Sequence, residues 1–481
     1  MSFAKSKALT FALAVAMFLS LVSGVAKTSA QDTYVKTFDL PTKPTTDGAY
    51  AGVDPSNQTI VYWHQQTGAN QKALEALVDT FNKNNPWKIT VKALAKGSTP
   101  DIVDAMVAAL QTKDLPSLVA AYQNEAGEYQ NVNALVDLND FVNDKTYGFG
   151  AAGLADFFPA YLAQDVNPQF NNQRLGLAVF RSLEVLYYNK DALTKLGYSA
   201  PPKTWQEFED MGCKYKDSGA GLTGYEVRTD ASAVSAAAFA QGGDVYDPKA
   251  NKFTLDTPEV LVGPQAMQDM VQKGCAKLPD NPRQFSDQND FAAEKSLFYS
   301  GTSAGFPFIR AAIKSAGKSF NWDIAAIPYK DKSVGNVYGA SVSVVNTAKE
   351  KNLAAWLYLR WFTEPEQQAA WVQASNYYPV RKSTAANLTD YIAKNPQYKS
   401  GFDLLSSTKA EPPIVAWNKV RTLITNAFTD VLNGKPVDET FAKLNDDANA
   451  SLEQFKPGGP LPTPRPTATP KPATATATSA S

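Results

Sequence analysis

The chain has 481 residues, with 46 Lys and Arg against 47 Asp and Glu and a formal net charge of -1. That length exceeds one ordinary hydrophobic core and suits two, because single cores stop growing near ~250–300 residues. The charge balance excludes the basic surplus that a phosphate backbone demands, so nucleic acid is not expected as a partner.

Lys5 and Lys7, an apolar run from Ala8 to Val22, and small residues ending at Ala30 predict a secretory signal peptide over residues 1–30. The run falls short of the ~20 residues that span a bilayer. No cysteine near Ala30 offers a lipid attachment point. A secreted protein is expected, periplasmic or on the outer face of a bacterial cell membrane. Residues 31–56 lack periodicity and are expected as a disordered lead-in.

Ordered structure is expected from Thr59, where Ile60, Val61, Tyr62 and Trp63 form a buried strand. Leu74, Leu77, Val78 and Phe81 then recur at i, i+3, i+4 and i+7, one helical face. Ile89, Val91 and Ala93 alternate as a second strand. Thr99, Pro100 and Asp101 supply an N-cap, a first-turn proline and a first-turn acid for a helix striped by Ile102, Val103, Met106, Val107 and Leu110. Leu118 to Tyr122 reads as a third strand. Strand and helix in alternation predict a parallel sheet covered on both faces, which binds ligands at the carboxyl ends of its strands.

A second series starts near Leu175, with a strand at Val185, Leu186, Tyr187 and Tyr188 and a capping box from Thr204 to Glu207. Cys213 and Cys275 are the only cysteines. In an exported chain such a pair is a disulfide candidate closing a loop of about 60 residues, two buried free thiols being the alternative. Another capping box, Thr363 to Glu366, opens a late helix. From Pro457 onward Pro, Thr, Ala and Ser dominate, so residues 457–481 read as a disordered tail. The chain has a single histidine, His64, and neither a Gly-Lys-Ser/Thr phosphate loop nor a Cys-x-x-Cys pair, so no metal or cofactor is implied.

Four motifs in order carry a resemblance: residues 180–191 (FRSLEVLYYNKD), 201–205 (PPKTW), 338–341 (YGAS) and 376–381 (NYYPVR). Over most of residues 57–456 the chain resembles the extracellular solute-binding proteins of carbohydrate ABC importers, the group that includes the maltose-binding and glycerol phosphate-binding proteins. The resemblance implies an α/β, two-lobed periplasmic-binding-protein type II fold with hinge strands and an interlobe ligand cleft. It places lobe I at residues 57–180 and 335–378 and lobe II at residues 181–334 and 379–456. The implied partners are a carbohydrate-like small molecule and the importer's permease subunits, and a monomer is expected.

A sugar presents hydroxyls that suit Asp, Glu, Asn and Arg, and CH faces that stack on aromatic rings. Trp417 and Arg421, four apart, share one helix face, and the resemblance implies that such a pair touches ligand. It likewise implies ligand roles for Gln65, Gln66, Asn124, Glu125, Ser182, Asp230, Ser232, Gly339 and Tyr377. Phe306, Phe308 and Arg310, read as a strand end, would supply an apolar platform there, since Ser232 replaces an aromatic found in relatives. Two rival readings stand beside sugar capture. One is glycerol phosphate or a glycerophosphodiester, paired by Arg421 and Arg228. The other is a secreted glycoside hydrolase using two carboxylates such as Glu125 and Asp230.

Overall fold

The computed structural model describes residues 40–459; the expected signal peptide and the tail beyond 459 lie outside them. Strand and helix alternate as the periodicity requires: β1 (Thr59–His64), α1 (Gly68–Asn84), β2 (Thr90–Ala95), α2 (Thr99–Thr112), β3 (Leu118–Ala121) and α3 (Gln123–Gln130). β2 and β3 both pair parallel with β1. α1 buries Leu74, Leu77, Val78 and Phe81, each side chain stabilising the packed state by ~1.5–3 kcal/mol. α2 is capped one residue earlier than expected: the Ser98 N–H and hydroxyl donate to Asp101 at 2.7 and 2.6 Å.

The second sheet is built around β4 (Ser182–Asn189), whose eight residues are all buried, the mark of a strand covered on both faces. Helix α4 (Trp205–Asp217) opens with the expected capping box, the Thr204 hydroxyl accepting from the Glu207 N–H at 3.2 Å. β5 (Thr223–Glu226) leads into helix α5 (Ala231–Ala240), and the sheet is completed by β6 (Ala276–Lys277), β7 (Ser296–Thr302), β8 (Trp322–Ala325) and β9 (Gly335–Tyr338). β4 runs antiparallel to β7, β8 and β9. The next strand, β10 (Ser341–Val344), leaves this sheet and pairs antiparallel with β3. β11 (Thr408–Ala410) returns to it beside β9.

Four local expectations are corrected. Residues 335–338 belong with the second sheet, not with lobe I, because Val337 and Tyr338 pair with Leu183 and Ser182; the chain changes sheet at Gly339 and Ala340. Of the expected disordered lead-in, residues 31–39 lie outside the described residues, and residues 40–56, though largely exposed, are anchored, with Tyr50 stacked 4.1 Å from Phe141 and Pro41 accepting from the Trp87 indole. The segment from Phe306 is helix α6 (Phe306–Ser315), not a strand end, since β7 stops at Thr302. Helices α7 (Lys349–Phe362) and α8 (Pro365–Ser375) adjoin without the expected capping box: the Thr363 hydroxyl donates back to Arg360 at 2.8 Å.

The segments that run between the sheets meet on one side chain. Arg181 has 0% exposure. Its guanidinium donates to Gln164 at 2.8 Å, to the carbonyl of Phe180 at 2.8 Å, to that of Ala340 at 3.4 Å, and to Ser341 and Asp165. Its backbone exchanges both hydrogen bonds with Tyr378, at 3.2 and 2.8 Å. Gly339, between β9 and β10, has φ 144, a conformation open to glycine. Cys213 of α4 and Cys275 beside β6 form a disulfide with Cα atoms 4.7 Å apart, tying a covering helix to the sheet edge.

Arg181→Met leaves the Asp165 carboxylate buried without its cation and should cost about 3–5 kcal/mol in urea unfolding. Replacing both cysteines by Ala should lower stability by up to about 4 kcal/mol, the loop entropy of a cross-link of this span, and added reductant should then have no further effect on the unfolding midpoint.

Candidate functional site

A cavity of about 490 Å³ opens between the two sheets. The first lobe contributes Thr99 and Pro100 at the start of α2 and Tyr122 to Glu125 where β3 gives way to α3; the second contributes Glu184, Arg228, Asp230, Ser232, Thr302 and Tyr338. Glu411, Asn418 and Arg421 come from the segment that ends in helix α9 (Trp417–Leu432). β3, β5 and β7 all deliver their carboxyl ends here, where an α/β sheet leaves side chains free of ladder pairing.

Each charged group is held by a specific partner. Asp230 is the N-cap of α5: it accepts from the N–H groups of Ser232 and Ala233 at 3.0 and 3.1 Å and pairs with Arg228 at 2.7 Å. Burial works against the Arg228 charge, but Asp230 and Glu184 outweigh it and raise its pKa above the ordinary guanidinium value. Arg421 pairs with Glu411 and donates to the Ser232 hydroxyl at 3.2 Å. Glu184 accepts from the Tyr338 hydroxyl at 2.8 Å through one oxygen, while the other is buried with no hydrogen-bond partner. Burial pushes the Glu184 carboxyl up to about 7 and the Glu125 carboxyl up to about 8. Glu125 accepts from the Tyr122 N–H at 2.8 Å. Asn418 bridges the lobes, accepting from Asn124 and donating to Glu128 at 2.6 Å.

Of the residues expected from sequence, Asn124, Glu125, Asp230, Ser232 and Arg421 lie on this wall. The others are placed elsewhere, Phe308 standing 67% exposed. Trp417 has 0% exposure, stacks 6.1 Å from Phe253 and donates its indole N–H to Glu411 at 2.8 Å. The shared face with Arg421 is real, but the pair meets on Glu411. Phe306 is buried against Tyr187 and Trp322. Arg310 is exposed and donates to Asn395 and Gln397 at 3.2 and 3.3 Å. Tyr377 packs 4.7 Å from Phe180. The Ser182 hydroxyl donates to the Tyr338 carbonyl at 3.3 Å, and Gly339 serves the crossing between sheets. Gln65 and Gln66 follow β1 off the cavity wall, the Gln66 N–H donating to His64 Nδ1 at 3.2 Å. Burial lowers His64 to about 4, which leaves the ring neutral near pH 7.

Sequence reasoning missed Glu184, Glu411 and Tyr338. A signal for the first was present: Glu184 is the only charged residue in a wholly buried strand, and a buried carboxylate needs a reason. Glu411 sits in irregular chain, and nothing local marks it.

Residues 76–400 match the family described as bacterial extracellular solute-binding protein. The sn-glycerol-3-phosphate-binding periplasmic protein UgpB of Escherichia coli K12 is 25% identical over 406 residues, 78% of this chain and 88% of its own length. The fold is shared with the cyclic alpha-maltosyl-1,6-maltose binding protein of Arthrobacter globiformis, at TM-score 0.71, 20% identity, 82% of this chain and 99% of that one. It is shared too with UgpB of Mycobacterium tuberculosis in complex with glycerophosphocholine, at TM-score 0.69, 22% identity, 83% of this chain and 99% of that one. With two lobes, a polar cleft between them and a family match over most of the chain, this protein belongs to the bacterial extracellular solute-binding proteins.

Proposed function

We propose that the chain captures a neutral, hydroxyl-rich ligand, a sugar or oligosaccharide, in the interlobe cleft and delivers it unaltered, as a monomer, to the permease of an ATP-driven importer. The observation that carries this reading is the charge balance of the wall. Four carboxyl groups, Glu125, Glu184, Asp230 and Glu411, face two guanidinium groups, Arg228 and Arg421, and each guanidinium already has a carboxylate partner. Burial keeps Glu125 and Glu184 largely protonated near pH 7, so the two arginines are balanced by Asp230 and Glu411, and a phosphate dianion would have to displace one of those carboxylates to gain bidentate pairing. Neutral hydroxyls meet no such penalty: they donate to the carboxylates and accept from Arg421 and Asn124.

Likeness to the UgpB proteins favours the rival reading, glycerol phosphate or a glycerophosphodiester. It would use Arg228 and Arg421, the two cations whose charge is already answered. Hydrolysis is disfavoured because Asp230 is spent on two helix N–H groups and an arginine, and Glu125 on the Tyr122 N–H.

Calorimetry against mono- and oligosaccharides and glycerol phosphate should show carbohydrate binding near micromolar, about -8 kcal/mol, and no heat from glycerol phosphate. Asp230→Asn and Arg421→Ala should each weaken it ten-fold or more while the variants remain folded. Glycerol phosphate bound at micromolar affinity with every sugar silent would sink the proposal, and release of reducing ends from a bound glycan would replace a binder with an enzyme.

The buried acids also set a pH dependence. Glu125 and Glu184 are raised from 4.5 to about 8 and about 7, so the folded state holds protons that the unfolded chain releases. Their contribution is complete below the unfolded value and is lost as pH rises through 7 to 8. The ligand-free thermal midpoint should fall between pH 6 and pH 9, and Glu125→Gln should flatten that decline.

A further inference from the structure

A second cavity, of about 720 Å³, adjoins the polar cleft, and Arg228, Asp230 and Thr302 line both. Its outer walls come from the loop after β6, with Leu278, Pro282 and Phe285, and from α6, with Phe308. Among the described residues, the two most exposed large apolar side chains are Phe308 at 67% and Phe285 at 62%. Both stand on this one cavity. Leaving a phenylalanine in water forgoes ~1.5–3 kcal/mol of burial, and two on a single hollow mark a surface that a ligand covers. Phe285 is also held at φ 55, a region that bulky residues rarely adopt. The Cys213–Cys275 disulfide anchors the strand from which this wall springs.

The hollow is not purely apolar. Thr229, Asp287, Gln288, Thr425 and Thr429 stand among the rings. A hydrocarbon tail would strip water from these groups without replacing it, at ~1–3 kcal/mol for each one left unpaired. A sugar ring serves both sets, with its CH face on phenylalanine and its hydroxyl edge on the carboxylate, amide and hydroxyl groups. Each cavity alone lies in the ~300–1,000 Å³ range that holds a whole drug-sized ligand, so one monosaccharide leaves most of the joined space to water. Arg228 stands at the junction, fixed by Asp230 at 2.7 Å and by the Ser300 carbonyl at 3.2 Å.

We infer that the ligand is an oligosaccharide that runs from the polar cleft past Arg228 into this second hollow, with its outer rings on Phe308 and Phe285. The inference rests on the sugar-capture reading above and adds chain length to it. The test is calorimetry with the one-, two- and three-unit members of α-glucan, β-glucan, mannan, xylan and galactan series. In whichever series binds, affinity should rise ten-fold or more from the one-unit to the three-unit member. The double variant Phe285→Ala/Phe308→Ala should remove that gain and leave the one-unit affinity within two-fold. Both side chains are exposed, so the variant should unfold at the wild-type temperature. Equal affinity along a binding series, or a gain that survives the double replacement, overturns the extension and leaves sugar capture standing. Silence from every member of every series overturns the capture reading itself.

Discussion

The buried guanidinium of Arg181 is the constraint on which the two-lobed arrangement depends. One planar, permanently charged group answers the Phe180 and Ala340 carbonyls, Gln164, Ser341 and Asp165, while its own backbone pairs with Tyr378. Three segments distant in sequence are thereby held in register. Burial pushes the Asp165 carboxyl up and the Arg181 guanidinium down, so each charge is tolerated because the other is there. A lysine could not replace this fork, having a single nitrogen to spread over the same acceptors.

The strand that begins beside this knot also carries the cleft. Glu184 lies three residues beyond Arg181, on β4, so whatever sets the hinge sets the height of the Glu184 carboxyl in the cavity. Across from it, the Trp417 indole and Asn336 fix Glu411, and Glu411 fixes Arg421. The core of the second lobe thus reaches the cavity wall through one carboxylate, which is why a fully buried tryptophan still bears on the site. The acids are held by helix N–H groups, arginines and a tyrosine, so the fold orients them before any ligand arrives.

The cavity beyond Arg228 extends the same logic from polarity to length. In the proposed complex the polar cleft would fix one end of the ligand by its hydroxyls, and the phenylalanine-lined hollow would offer contact area with little directional demand. Such a division suits a carrier, which must tolerate some variation in cargo length yet fix the register of one end.

Periodicity and capping determined much of the architecture by themselves. The apolar face of α1, the doubly covered β4, the Thr204 capping box and the alternation of strand and helix follow from local sterics and burial, which act over a few residues and are written in the order of side chains. Asn124, Glu125 and Asp230, expected from the family resemblance, lie on the cavity wall, in the chain that follows strand ends. Tertiary structure alone decided the rest. Trp417 became a support because its helix packs against Phe253, Arg310 turned to Asn395 and Gln397, and Glu411 entered the wall from a segment without regular structure. Those outcomes depend on which distant surfaces meet, and a contact between residues 75 or 288 positions apart, as Glu411 makes with Asn336 and Gln123, leaves no trace in local spacing.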